Sequence, residues 1–152
     1  MDHSTELSLI CRVRARLCAL PLQHVVEILR PLPVEPLAGA PPFVRGIAML
    51  RGAPVPVVDA ATLLGEDRGP AQRYVTLAIG QRRVALAVGE VLGVRAVPAQ
   101  SVQALPPLLQ EAAADIVTAI GRLDADLLLM LGGMRLLPDT LWALPASAGA
   151  SP

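Results

Sequence analysis

The sequence predicts an all-β protein of about ten short strands. Three observations carry that reading. Apolar residues alternate with polar ones, or run in short blocks, and turn residues separate the segments. Helix signals are confined to a few short stretches. Apolar residues make up 53% of the 152-residue chain, yet Phe, Trp and Tyr occur once each, so the core must be Leu, Val, Ile and Ala.

In chain order, Leu7 to Val13 and Arg16 to Leu20 form a hairpin turning at Arg14-Ala15. That register sets Leu9 opposite Leu20 and Cys11 opposite Cys18 on one face. The two cysteines would stand ~4.5–5.5 Å apart at Cα, within disulfide range. The reading preferred here is a pair of reduced, buried thiols acting as small apolar residues. Pro21 opens a turn, and His24 to Arg30 is extended, with Val26 and Ile28 on one face and Val25, Glu27 and Leu29 on the other. Periodicity reads Glu27 as an outward, solvated carboxylate. Pro31 to Pro42 is a proline-rich loop.

The stretch from Phe43 to Asp59 organises the rest. It is a hairpin with Arg51-Gly52 as its turn, where glycine supplies a positive φ. Leu50 faces Ala53, Ala48 faces Val55, and Gly46 faces Val57. Pro54 and Pro56 share one side of the second strand and remove two donors, which suits a sheet edge or barrel rim. Asp59 caps a helical turn from Ala60 to Leu64 that stops at Gly65.

Glu66 to Gln72 is the clearest internal boundary, too short to link independent domains. Arg73 to Val88 is another hairpin, turning at Gly80-Gln81, with Val75, Leu77 and Ile79 matched by Val84, Leu86 and Val88. Val91 to Val97 is a strand, and Leu105-Pro106-Pro107 opens a short helix through Ala114. Ile116 to Ile120 and Leu127 to Leu131 are the last strands, separated by Arg122 to Asp126. Asp139 to Trp142 caps a short terminal helix, and residues 146–152 read as a disordered tail.

Charge and chemistry exclude several classes. Thirteen basic residues, all arginine, balance thirteen acidic ones. A nucleic-acid binder needs a basic excess to neutralise phosphates. Arg12, Arg14 and Arg16 have no aromatic beside them to stack bases, and read as a solvated hairpin tip. Met1 to Glu6 is acidic and polar where a signal peptide would be basic. Apolar runs such as Leu127 to Leu131 fall far short of the ~20 residues a membrane helix needs. A cytoplasmic protein without direct membrane insertion is therefore expected. Mean hydropathy of +0.54 calls for thorough burial or an apolar surface kept for a partner.

No catalytic set assembles. Asp59 is followed by Ala60-Ala61, with no second copy, so the paired carboxylates of an aspartic protease are missing. Gly132-Gly133 lacks the lysine and helix of a phosphate loop. The serines lie in the N-terminal segment, one loop and the tail, and His24 has no acid or nucleophile beside it. Glu66 and Asp67 read as solvated. Neither a cofactor nor a metal is implied.

Arg45-Gly46-Ile47, Leu50-Arg51-Gly52 and Val55-Pro56-Val57-Val58-Asp59, with Val25-Val26-Glu27-Ile28 upstream, resemble the signature of CheW-like domains, the coupling proteins of bacterial chemotaxis. The resemblance runs from about Leu7 to Pro138. It implies a single domain over residues 7–138, made of two packed five-stranded SH3-like barrels with short helices. The approximate subdomains are 7–66 and 73–138, with an exchange of strands left open. It also implies a non-catalytic adaptor between the cytoplasmic tip of chemoreceptors and the regulatory domain of a CheA-type histidine kinase. Val25, Glu27 and Arg51 match the family's partner-contact positions; Gly46 and Gly52 match the signature but serve backbone geometry. Two positions depart from the pattern. Val88-Gly89 stands where Val-Asp is common, and Gly132 where an acid usually follows the Leu run. Either glycine supplies the same backbone geometry through its wider φ range, or the partner surface has changed. The alternatives are a CheW-like scaffold in a non-swimming pathway and, from another class, a small-molecule-binding barrel.

Overall fold

The computed structural model describes residues 5–104 and 117–132. Among them the chain forms eleven strands and one short α-helix. The strands are β1 (Thr5–Val13), β2 (Arg16–Pro21), β3 (Val25–Leu29), β4 (Val44–Leu50), β5 (Ala53–Asp59), β6 (Arg73–Ile79), β7 (Arg82–Val88), β8 (Val91–Pro98), β9 (Gln103–Ala104), β10 (Val117–Leu123) and β11 (Asp126–Leu131). Helix α1 is Ala60–Leu63. The fold is all-β, with one sheet ordered β8-β1-β2-β11-β10-β9 and the other β3-β6-β7-β5-β4. One sheet thus has six strands where five were expected.

The sheets do not divide at residues 66–73. Hairpin β1–β2 joins the strands of the second half, and β6–β7 joins those of the first. Two short parallel pairings make these exchanges together with the antiparallel pairings of β1 with β8 and of β3 with β6. Leu17 to Ala19 run beside Leu128 to Met130, and Val57 to Asp59 beside Ala85 to Ala87.

Burial follows from that exchange. A central core takes Leu9, Cys11, Cys18, Leu20, Leu129 and Leu131 from one sheet, and Val58, Val75, Leu77, Val84 and Leu86 from the other. Each sheet also has its own small core. Ile10, Leu17, Ala19, Val97 and Leu128 fill one; Ala48, Val55, Val57, Tyr74, Ala85 and Ala87 fill the other. Val84 to Val88 is therefore buried on both faces, with large residues toward the partner sheet and alanines toward its own. That double burial is why the segment reads as a continuous apolar block.

The three expected turns are present. Arg14 has φ 57°, Arg51 has 52° and Gly52 has 83°, and Gly80 has 64°. Cys11 faces Cys18 in the expected register; both thiols are free and buried, and burial pushes each up to about 12. The final hairpin differs from expectation. Asp124-Ala125 alone makes its turn, so Arg122 pairs Leu127 and Leu123 pairs Asp126. The helices expected at 105–114 and 139–142, and the tail at 146–152, lie outside the described residues.

Strand β5 is not an edge: it lies between β7 and β4. Its prolines are still accommodated locally. Ile47 exchanges backbone hydrogen bonds with Glu35 on its outer side, at 2.8 and 2.9 Å. Pro56, opposite Ile47, and Pro54, opposite Met49, therefore occupy positions that owe no N–H to β4. On the other side, pairing to β7 begins only at Val57. Gly46, with φ 144°, lets the Glu35 backbone approach β4; a Cβ there would collide with the Glu35 carbonyl.

Candidate functional site

The hairpin β4–β5 holds two arginine–carboxylate pairs. The first is buried. Asp59 caps α1, its Oδ2 accepting from the Thr62 backbone N–H at 2.9 Å and the Thr62 hydroxyl at 2.6 Å. Its Oδ1 accepts from Arg45 Nε at 2.9 Å and Nη2 at 2.6 Å. Arg45 Nη2 also donates to the Gly69 carbonyl. No buried side-chain nitrogen or oxygen of this network lacks a partner, so burying it is tolerable. It ties β4, β5 and α1 to the loop that was read as a boundary.

The second pair lies at the surface. Arg51 Nε donates to Glu27 Oε2 at 3.1 Å, and Nη2 to Oε1 at 2.6 Å. Arg51 is 71% exposed and Glu27 22%. The Arg51 hydrogen bonds, with a smaller contribution from the Arg83 charge, hold the Glu27 carboxyl below the usual carboxylate range. Glu27 is on edge strand β3, whereas Arg51 begins the turn out of edge strand β4. Their bond shows that the five-stranded sheet curls until its edges approach.

The sequence reading placed Val25, Glu27 and Leu29 on one face. The structure corrects this. Val25 pairs with Leu77, but Glu27 pairs with Thr76, so Val26 is an extra residue and β3 is bulged. Val25 then shares the face of Ile28, and Glu27 shares that of Leu29. Val25 packs, half-buried, against the central core. Structure thus unites Glu27 and Arg51, and sets Val25 on the other face. The bulge leaves Val26 and Ile28 exposed on either side of Glu27, at 41% and 43%. Met49, two residues before Arg51, is also exposed.

Sequence reasoning missed three features. One is Thr76, fully buried, whose hydroxyl accepts from the Glu27 N–H at 3.1 Å and donates to the Glu27 carbonyl at 3.3 Å. A threonine in an apolar strand signals little by itself. The second is Arg45, for which a buried Asp59 demanding a cation was the available clue. The third is the Arg16–Glu66 ion pair at 2.6 Å, in which Arg16 stays exposed and Glu66 is half-buried.

The two departures from the family pattern are also clarified. Neither glycine has a positive φ, so conformational freedom is not what glycine supplies there. At Gly89 a Cβ would stand 2.7 Å from the Arg12 carbonyl, which accepts the Gly89 N–H at 2.9 Å. At Gly132 it would strike the Thr118 methyl. Close approach of neighbouring chain is the requirement.

Chemistry beyond these pairs is sparse. Among the described residues no cluster of three His, Cys, Asp or Glu could hold a metal ion, and no helix is long and apolar enough to cross a membrane. A cavity lined by Arg45, Asp59 and Gly89 holds about 40 Å³, and a groove between Arg12, Leu17 and Leu127 about 200 Å³.

Comparison with known proteins agrees with this architecture. The CheW-like domain model matches residues 8–140. The chain is 34% identical over 113 residues to Protein FrzA of Myxococcus xanthus, covering 70% of each. It is 26% identical to the chemotaxis protein CheW of Klebsiella aerogenes, over 73% of this chain and 69% of that one. Its fold is similar to that of the scaffolding protein TtCheW from Thermoanaerobacter tengcongensis, with a TM-score of 0.77 at 21% identity, covering 86% of this chain and 91% of the other. The model match over most of the chain and the identity to FrzA establish that the chain belongs to the CheW-like domain family.

Proposed function

We propose that the protein is a non-catalytic, cytoplasmic scaffold that couples the tips of chemoreceptors to the regulatory domain of a CheA-type histidine kinase. The observation that carries this reading is the Glu27–Arg51 pair on the curled sheet. One edge of the guanidinium is spent on Glu27, and the remaining N–H groups face solvent, free for a carboxylate or backbone carbonyls of a partner. Val26 and Ile28 on β3 and Met49 on β4 are exposed along the same two strands, Ile28 on the face opposite Glu27. A polar anchor beside apolar contacts suits an amphipathic helix better than a small solute. Among the described residues, the two cavities of about 40 and 200 Å³ are smaller than ordinary ligand pockets of ~300–1,000 Å³.

The test is reconstitution with a receptor signalling-tip fragment and a kinase regulatory domain encoded in the same genome. Sedimentation should show the protein binding each alone and bridging the two. Failure to bind either one would sink the reading.

A further inference from the structure

We propose that Thr76 is a positioning residue for the recognition surface: its hydroxyl clamps the Glu27 peptide at the β3 bulge and thereby aims the carboxylate at Arg51. The partner-facing part of this proposal rests on the function proposed above; the clamp itself does not.

Thr76 is 0% exposed and lies in the middle of the sheet, paired to Glu27 on β3 and Ala85 on β7. Its neighbours on the same face are apolar: Tyr74, Ala85, Ala87 and Val57. A valine of the same branched shape would fill that space, so packing alone does not call for a hydroxyl. A buried hydroxyl is costly unless it is bonded. Here both of its bonds go to one residue, to the N–H and the carbonyl of Glu27.

The location of those bonds matters. A bulge interrupts the regular ladder and leaves the extra residue's surroundings free to shift. An unclamped bulge could move by one residue, placing Val26 or Ile28 where Glu27 now stands. Strand register decides which side chain faces which way. With the Glu27 peptide fixed from both ends, the carboxylate is held where both its oxygens meet Arg51. Among the described residues strand β3 is an edge, with no strand on its outer side to do this.

The experiment compares wild type with Thr76→Val, which keeps the shape and loses both bonds, and Thr76→Ser, which keeps the hydroxyl. Titration of the Glu27 carboxylate by NMR in the free protein reads the clamp directly. Affinity for the receptor signalling-tip fragment reads its consequence. In Thr76→Val the Glu27 titration should move up toward that of an unpaired carboxylate, and affinity should fall roughly three- to tenfold. Thr76→Ser should keep both near wild type even where it melts lower. Wild-type titration of Glu27 in Thr76→Val would overturn the proposal whatever the partner does. So would equal loss in Thr76→Ser, which would mark a packing role. If Thr76→Val does not fold, Thr76→Cys against Thr76→Ser makes the same comparison at matched size. A shifted titration with unchanged affinity in both Thr76→Val and Arg51→Glu would leave the clamp standing and overturn the partner role of the pair.

Discussion

Arg45 and Arg51 lie six residues apart, before and at the turn of one hairpin, and each forks onto a carboxylate with Nε and Nη2. Their surroundings differ. Asp59 is 2% exposed and all its bonds are satisfied from within, by Arg45 and Thr62. Arg51 is 71% exposed and keeps donors turned to solvent. The buried pair welds the hairpin to its neighbours, whereas the exposed pair has spare bonding capacity. Similar chemistry serves cohesion in one place and recognition in the other, and burial decides which.

The comparison breaks most visibly at Asp59. Asp59→Ala leaves Arg45 without its carboxylate and α1 without its cap. The expected loss is about 3–5 kcal/mol, which should lower Tm by roughly 10 °C in a chain of this size. A melting curve near wild type would mean that the buried pair is not a weld. Gly89→Asp comes next. It sits on the cavity wall beside Arg45 and Asp59, and its Cβ must displace the Arg12 carbonyl. Overpacking of this kind costs about 1–3 kcal/mol. Unchanged stability under denaturant would show that the β1 end yields freely.

Arg51→Glu should do the reverse. It sets two carboxylates together at the surface, so the melting curve should stay close to wild type while receptor binding falls at least about tenfold. Equal affinities for the two proteins in calorimetry would remove the recognition half of the contrast. The smallest effect is with pH. Because Arg51 depresses the Glu27 carboxyl, the pair's contribution is fully present above the ordinary carboxylate range and is lost as pH falls through the lowered value. Glu27 should therefore titrate below the ordinary carboxylate range in an NMR series. A midpoint within that range would show that the fork does not persist in solution.

What was legible in the chain was local. The turns at Arg14-Ala15, Arg51-Gly52 and Gly80-Gln81 fix their hairpins within a few residues, so register and the Cys11–Cys18 pairing could be read directly. The cap at Asp59 is equally local. The bulge at Val26 was not legible, because an extra residue in β3 shows only against β6, whose Thr76 holds it. Sheet membership was hidden for a related reason. The parallel pairings of β2 with β11 and β5 with β7 join segments with no shared turn to announce them. Glu27 and Arg51 were each identified through the family signature, but their meeting depends on the curl of the sheet. Gly89 was misjudged because close approach by the β1 end leaves no trace in the residues around it.

The parallel seam between β2 and β11 also bears on how the chain comes together during synthesis. The five-stranded sheet is complete once Val88 has emerged, since all its strands lie between Val25 and that residue. The hairpin β1–β2 is made earlier but finds its flanking strands, β8 and β11, only afterwards, when Leu17 meets Leu128. Non-local pairings of this kind close late, because a long intervening chain must first be ordered. Until then Leu9, Cys11 and Leu20 have only part of their final surroundings. Strands β1 and β2 thus leave the ribosome before the five-stranded sheet but are enclosed after it, and until then this hairpin is exposed to misassociation.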